Sequence, residues 1–197
     1  MMKIAIFASG TGTNAQAIID QAQSGDIDVE VALVVSDKPN SKALIRASSS
    51  SIATFGFNPS NYTYKEEFES DIVVELQARK IDLVVLAGYM RLIGPTLLSA
   101  YEGKIVNIHP SLLPNFPGLD AIGQALRAGV SETGVTIHEV DAGMDTGPII
   151  AQEAITIEQD DTIETLTKKI QAVEHRLYPQ TIAAWGNTIK LEGVKSK

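Results

Sequence analysis

Three side chains of this sequence, Asn107, His109 and Asp145, could together move a proton and steady a developing negative charge. An imidazole titrates near neutrality and is the usual proton carrier. An amide N–H can hold an oxyanion as it forms. Asn107 and His109 stand two apart in Lys104-Ile105-Val106-Asn107-Ile108-His109-Pro110-Ser111-Leu112-Leu113-Pro114. Ile105, Val106 and Ile108 read as a short buried strand, and alternation then puts Asn107 and His109 on one face. Pro110 removes a ladder donor and ends the strand. Both groups are therefore expected at a strand's carboxyl end, where open parallel α/β sheets form ligand crevices. Asp145 lies in the Gly-rich loop Asp141-Ala142-Gly143-Met144-Asp145-Thr146-Gly147-Pro148, which is flexible enough to bring a carboxylate to the ring. A carboxylate there favours the protonated imidazole. The plain alternative is a satisfied strand-end histidine and an aspartate in a turn. Asn-x-His before Pro-Ser-Leu-Leu-Pro, with a later Asp-x-Gly loop, favours chemistry.

A second candidate is Gly10-Thr11-Gly12-Thr13-Asn14, after a first apolar run. Glycines between a strand and a helix let backbone N–H groups approach a phosphate at the helix N-terminus. Gly10-x-Gly12-x-x-Ala15 also fits the dinucleotide fingerprint, with Asp37 near the expected acidic position, but that match is weak alone. Thr13 and Asn14 add side-chain donors, which suit a terminal phosphate monoester. The plain alternative is an ordinary strand-to-helix turn.

Other residues carry less. His109, His138 and Asp145 could form a two-histidine, one-carboxylate metal site. His138 has no ligand-type spacing to either partner, so no metal is expected. Ser111 follows a proline and lacks a nucleophile elbow. His175 reads as a core or surface histidine, and Glu174 could reach a ligand. Met90-Arg91-Leu92-Ile93 follows an apolar run, and its side chains could sandwich a flat heterocycle or simply pack.

The elements that must position these groups can be read from periodicity. Strands are expected at Lys3–Ala8, Val29–Val35, Ile52–Phe55, Asp82–Ala87 and around Val106. Helices are expected after the glycine loop, at Ser41–Ala47, Tyr64–Arg79 and Pro95–Tyr101. Phe68, Ile72, Val73 and Leu76 should face inward. Leu119–Ala128 should be helical. Gly134–Val140 and Pro148–Ile157 alternate like an antiparallel edge pair. Thr162–Trp185 should be helical but interrupted near Pro179. The alternation predicts an α/β, Rossmann-like, mostly parallel twisted sheet flanked by helices, with an antiparallel edge in the C-terminal part. Residues 1–190 are expected to be one domain, with a nucleotide- and phosphate-binding half (1–103) and a catalytic half (104–190). Residues 191–197 form a tail, and disorder is expected from Gly193.

Composition narrows the class. The 197 residues are 44% hydrophobic and 20% charged, an ordinary globular balance. There is no cysteine, which excludes disulfides, thiolate ligands and a cysteine nucleophile. The net charge is −8 with no basic run, which leans against nucleic acid. The apolar start is too short for a signal peptide, and no run could span a bilayer. The expected location is the cytoplasm, with no membrane partner.

Four segments occur in a telling order: Ser9-Gly10-Thr11-Gly12-Thr13-Asn14, Leu86-Ala87-Gly88-Tyr89-Met90-Arg91, Asn107-Ile108-His109-Pro110-Ser111-Leu112-Leu113-Pro114, and Asp141-x-Gly143-x-Asp145-x-Gly147-Pro148. Over nearly the whole chain, to about Trp185, it resembles the folate-dependent formyltransferases. The glycine loop and short length point to the phosphoribosylglycinamide formyltransferase branch of that family. The resemblance implies that Gly12, Thr13 and Asn14 hold the phosphate of glycinamide ribonucleotide. It implies that Lys65, Met90, Arg91, Leu92, Ile93 and Asn107 line the 10-formyltetrahydrofolate site, and that the 141–145 loop, with Asp141, closes on the pterin. His109 would be the proton donor, Asp145 would favour its charged form, and Glu174 in Gln171-Ala172-Val173-Glu174-His175 would contact the substrate. Asp120-Ala121-Ile122-Gly123 stands where some relatives have histidines, so their role is not carried over.

The implied reaction agrees with the residues. An amine attacks a formyl carbon, and Asn107 with protonated His109 can stabilise the tetrahedral oxyanion. The partners expected are two small molecules, and the chain could be a monomer or homodimer. The alternatives are another formyltetrahydrofolate-using enzyme, such as a hydrolase or a tRNA-directed transferase, or a nucleotide-binding oxidoreductase or binding module. A tRNA substrate would need a basic surface and a further C-terminal domain. The last two alternatives leave Asn107, His109 and Asp145 without a task.

Overall fold

The apolar runs become strands β1 (Met2–Phe7), β2 (Val29–Ser36), β3 (Thr54–Gly56), β4 (Leu83–Leu86) and β5 (Ile105–His109) in a computed structural model that describes residues 1–195. Helices α1 (Thr13–Ser24), α2 (Lys42–Ser49), α3 (Lys65–Ala78) and α4 (Pro95–Ala100) alternate with them. Then come α5 (Ala121–Ala128), β6 (Glu132–Glu139), β7 (Ile149–Thr156) and α6 (Ile163–Lys195). One sheet has the order β3-β2-β1-β4-β5-β6-β7. The first five strands pair in parallel; β5–β6 and β6–β7 are antiparallel. This is the mostly parallel, Rossmann-like sheet with an antiparallel C-terminal edge that the alternation predicts.

The central strands are apolar on both faces because both are covered. On one face Ile4, Ile6, Val34 and Val106 pack with Ile18 and Ile19 of α1 and Ile170 and Tyr178 of α6. On the other, Phe7, Leu33, Val84 and Leu86 pack with Phe68, Ile72 and Leu76 of α3 and Leu97 of α4. Strand order reverses between β1 and β4, so the loops after these two strands flank a crevice. The Tyr178 hydroxyl, fully buried, reaches the carbonyls of Leu86 (2.8 Å) and Val106 (3.1 Å), tying α6 to the end of β4 and the start of β5.

Two features differ from the sequence reading, and a third, Glu69, lies outside it. The helix expected from Leu119 begins at Ala121, because Asp120 has φ 57, a left-handed conformation no helix contains. The last helix is not broken at Pro179 and runs on to Lys195, past Trp185. It thus takes in 193–195 of the expected disordered tail; residues 196 and 197 lie outside the described residues. Glu69, on the inner side of α3, is 2% exposed. It accepts the backbone N–H groups of Gly94 (2.6 Å) and Leu97 (3.3 Å), which have no partner in the first turn of α4. The remaining element ends fall within about two residues of expectation. No described helix is long and apolar enough to cross a membrane.

Candidate active site

Val106 and Ile108 of β5 point into the core, which leaves Asn107 and His109 on the opposite face, as their spacing requires. They line a cavity of about 600 Å³ at the crevice. Its walls also include Asn14, the 88–93 loop, residues 118–122, residues 140–145 and Glu174.

His109 is 5% exposed, and both of its ring nitrogens face oxygen. Nε2 lies 2.8 Å from the Phe116 carbonyl, which can only accept, so Nε2 carries a proton. Nδ1 lies 3.4 Å from Asp145 Oδ2. A ring protonated on both nitrogens satisfies both neighbours. The turn that presents the Phe116 carbonyl is pinned to the antiparallel edge. Thr136 donates to the Ser111 carbonyl (2.6 Å) and accepts from Leu113 N–H (3.0 Å), and Gln152 donates to the Leu113 carbonyl (2.9 Å). Ser111 is buried and donates to the Asn115 carbonyl (2.5 Å), a structural task and not a nucleophile's.

Asp145 reaches the ring from the 141–146 loop with φ 55. Its Oδ2 accepts the Gly118 N–H at 2.8 Å, and its Oδ1 lies 3.5 Å from His138 Nε2. Its carboxyl sits below the usual range. A hydrogen bond from His138 contributes most, and burial opposes it; the Gly118 N–H and the two imidazoles add to the lowering. His138 Nε2 also lies 3.2 Å from Asn107 Nδ2, and it cannot donate to Asp145 while accepting there. The lowering is greatest where His138 donates to Asp145; with His138 accepting from Asn107, the Gly118 N–H and His109 are what oppose burial.

His138 is the cleft residue that spacing missed. It is 2% exposed and lines the cavity. What brings it in is register: β6 runs antiparallel to β5 and sets His138 opposite Asn107. The signal was the alternation Val135-x-Ile137, whose partners must face the other way. The three residues of the two-histidine, one-carboxylate idea thus do meet. The histidines face different oxygens of Asp145, and no group of three metal-ligand side chains among the described residues has metal-holding geometry.

At the glycine loop, Gly12 has φ 70, and a Cβ there would come within 2.8 Å of Ala43 Cα, so only glycine fits. The first-turn N–H groups of α1 carry no side-chain cap. Asn14 reaches the cavity, whereas Gly12 and Thr13 do not line it. Asn14 Nδ2 donates to Glu174 Oε2 at 3.0 Å, and Asn14 Oδ1 is buried without a partner. Burial pushes the Glu174 carboxyl up, and the Asn14 bond partly offsets this.

The 88–94 loop is fastened along its length. Met90 N–H donates to Ser9 Oγ (2.9 Å), Arg91 to Asp37 (3.0 Å) and Lys65 Nζ to the Leu92 carbonyl (2.5 Å). Asp37 is therefore engaged by a guanidinium through Oδ2, while its Oδ1 is buried without a partner. Met90, Arg91, Leu92 and Ile93 line the main cavity; Lys65 instead lines a neighbouring cavity of about 500 Å³, shared with Met90, Arg91 and Leu92. Asp141 lines the main cavity and accepts from Gly143 N–H (3.0 Å) and Thr146 Oγ1 (2.7 Å). Exposed Met90, Leu92, Leu119 and Met144 offer the cleft apolar surface, which fits a flat heterocycle.

An amide, a histidine with two acceptors and a half-buried carboxylate, together in one cleft, can steady a developing oxyanion and move a proton, as acyl-type group transfer requires. The pattern of the formyl transferase family matches residues 2–182, and the chain belongs to that family, a class of group-transfer enzymes. Among its relatives, the phosphoribosylglycinamide formyltransferase of Bacillus subtilis (strain 168) is 53% identical over 182 residues, 92% of this chain and 93% of that protein. The crystal structure of phosphoribosylglycinamide formyltransferase from Bacillus halodurans is 61% identical, with a TM-score of 0.90 over 93% of this chain and 94% of that one. Glycinamide ribonucleotide transformylase 1 from Geobacillus kaustophilus is 59% identical, with a TM-score of 0.92 over 94% and 98%.

Proposed function

We propose that the protein transfers the formyl group of 10-formyltetrahydrofolate to the glycinamide amine of N1-(5-phosphoribosyl)glycinamide, a step of purine biosynthesis. The observation that carries this reading is the convergence of Asn107, His109 and Asp145 in one cleft with Asn14. The amine forms a bond to the formyl carbon, and the carbonyl oxygen takes up negative charge. Asn107 N–H and protonated His109 stabilise that oxygen. The amine loses a proton, the folate nitrogen gains one as its bond to the formyl carbon breaks, and His109, backed by Asp145, brokers the exchange.

In this reading residues 1–103 supply the nucleotide half of a single domain (1–190), and residues 104–190 the catalytic and folate half. Gly12, Thr13 and Asn14 take the phosphate, and Glu174, beside the partnerless Asn14 Oδ1, takes substrate hydroxyls. Met90, Arg91, Leu92, Ile93 and Asp141 hold the donor, with Lys65 at its anionic end. No metal is called on. The protein works in the cytoplasm, with small-molecule partners, as a monomer or homodimer.

The test is formyl transfer from 10-formyltetrahydrofolate to synthetic glycinamide ribonucleotide, with formate plus ATP as control donor. Transfer from the folate alone is expected. Formyl release to water with no transfer would replace the reading with that of a hydrolase.

A further inference from the structure

A short chain of hydrogen bonds ends on Asn107 and begins at a group of fixed polarity. The Glu139 carbonyl can only accept, and His138 Nδ1 lies 2.8 Å from it, so Nδ1 carries a proton. In the neutral ring Nε2 then has only a lone pair. Its neighbour at 3.2 Å is the Asn107 side-chain amide, which must donate, and an amide donates only through nitrogen. Carbonyl, imidazole and amide therefore form a one-way sequence.

That direction matters for asparagine in particular. A half-turn about its last bond exchanges N–H for C=O with almost no change of shape. An Asn107 turned the wrong way would present a carbonyl oxygen to the oxygen on which charge develops. A neighbour able both to donate and to accept would leave the choice open; an imidazole locked at Nδ1 does not.

We propose that His138 is a positioning residue that sets the donor sense of Asn107. It takes one amide N–H and leaves the second for the developing oxyanion. Asp145 Oδ1, 3.5 Å from the same Nε2, is the competing partner. Asp145 is held instead through its other oxygen, Oδ2, by Gly118 N–H and His109. This inference rests on the formyl-transfer reading above.

Two measurements test it. In the first, His138→Leu lowers kcat about ten- to a hundredfold with both KM values within about threefold, less than the loss from removing a donor outright. His138→Gln, whose amide oxygen can accept from Asn107, restores most of it. In an Asn107→Ala background His138→Leu costs nothing further, because His138 acts only through Asn107. Equal impairment by leucine and glutamine, or losses that add with Asn107→Ala, would overturn the proposal. The second measurement needs no variant: ¹⁵N NMR of imidazole-labelled wild-type protein, expected to show His138 protonated at Nδ1 and bare at Nε2. A proton on Nε2 would overturn it. Wild-type enzyme that forms no formylated ribonucleotide would count against the reading of function, while the tautomer result stands by itself.

Discussion

Gln21 of α1 donates its side-chain amide to the carbonyl of His175 at 3.0 Å, and His175 lies four residues before Pro179. A backbone N–H at position 179 would ordinarily serve that carbonyl, and proline has none. Helix α6 passes its proline unbroken because a neighbouring helix supplies the missing donor. The same stretch of α6 carries Glu174, which lines the cleft, and Tyr178, which ties the helix to the sheet, so this repair holds both in place.

Gln21→Leu should therefore destabilise the protein by about 1–2 kcal/mol, the cost of an orphaned carbonyl. With Pro179→Ala the cost should shrink, since the alanine N–H can take over. Urea unfolding of the four proteins measures the coupling. An identical cost in both backgrounds would mean that Gln21 serves some other purpose.

His109→Ala and Asp145→Ala should each lower turnover about a hundred- to a thousandfold. Binding of glycinamide ribonucleotide, read by calorimetry, should persist, because the glycine loop and Glu174 are untouched. Near-normal turnover in either variant would remove that residue from the mechanism.

Glu174 makes stability depend on pH in a defined sense. Burial raises its carboxyl above the unfolded value of 4.5. The folded state then holds the proton more tightly than the unfolded chain, so this group favours folding least once pH has risen through the folded value. Glu174→Gln keeps an acceptor for Asn14 and cannot ionise. Relative to wild type it should gain stability as pH rises from below 4.5 toward neutrality, then level off. A stability gap that stays flat over that range would contradict the burial cost.

Tyr178→Phe should cost about 1–2 kcal/mol, since it removes a buried hydroxyl that reaches two carbonyls and leaves the ring in place. Thermal unfolding reads this directly. A neutral result would mean that β4 and β5 need no tie from α6.

The mostly parallel sheet with its antiparallel edge and the Asn107–His109 pair were readable because both follow from periodicity: alternating runs for the sheet, a two-residue step for the site. Asp145 was readable as a carboxylate in a loop with few constraints, though not its distance from the ring. His138 and Glu69 were not readable. Each depends on a partner far along the chain: His138 on the register that sets it against Asn107, Glu69 on the bare N–H groups of α4. Pro179 misled for the same reason, because its compensation comes from Gln21. Local rules describe what a residue prefers, and long-range contacts decide what it is given.

The antiparallel turn of the sheet at β5 also constrains how the gene can drift. Residues 110–131 join β5 to β6 and carry the Phe116 carbonyl and Gly118 N–H that hold His109 and Asp145, while the pairing of the two strands sets His138 against Asn107. One codon gained or lost within β6 before His138 would not be mild. Every side chain upstream would change sides against its partner, or Ile137 would enter the cleft and the imidazole would sink into the apolar layer. In this enzyme the odd-or-even count along that one strand is not free to vary.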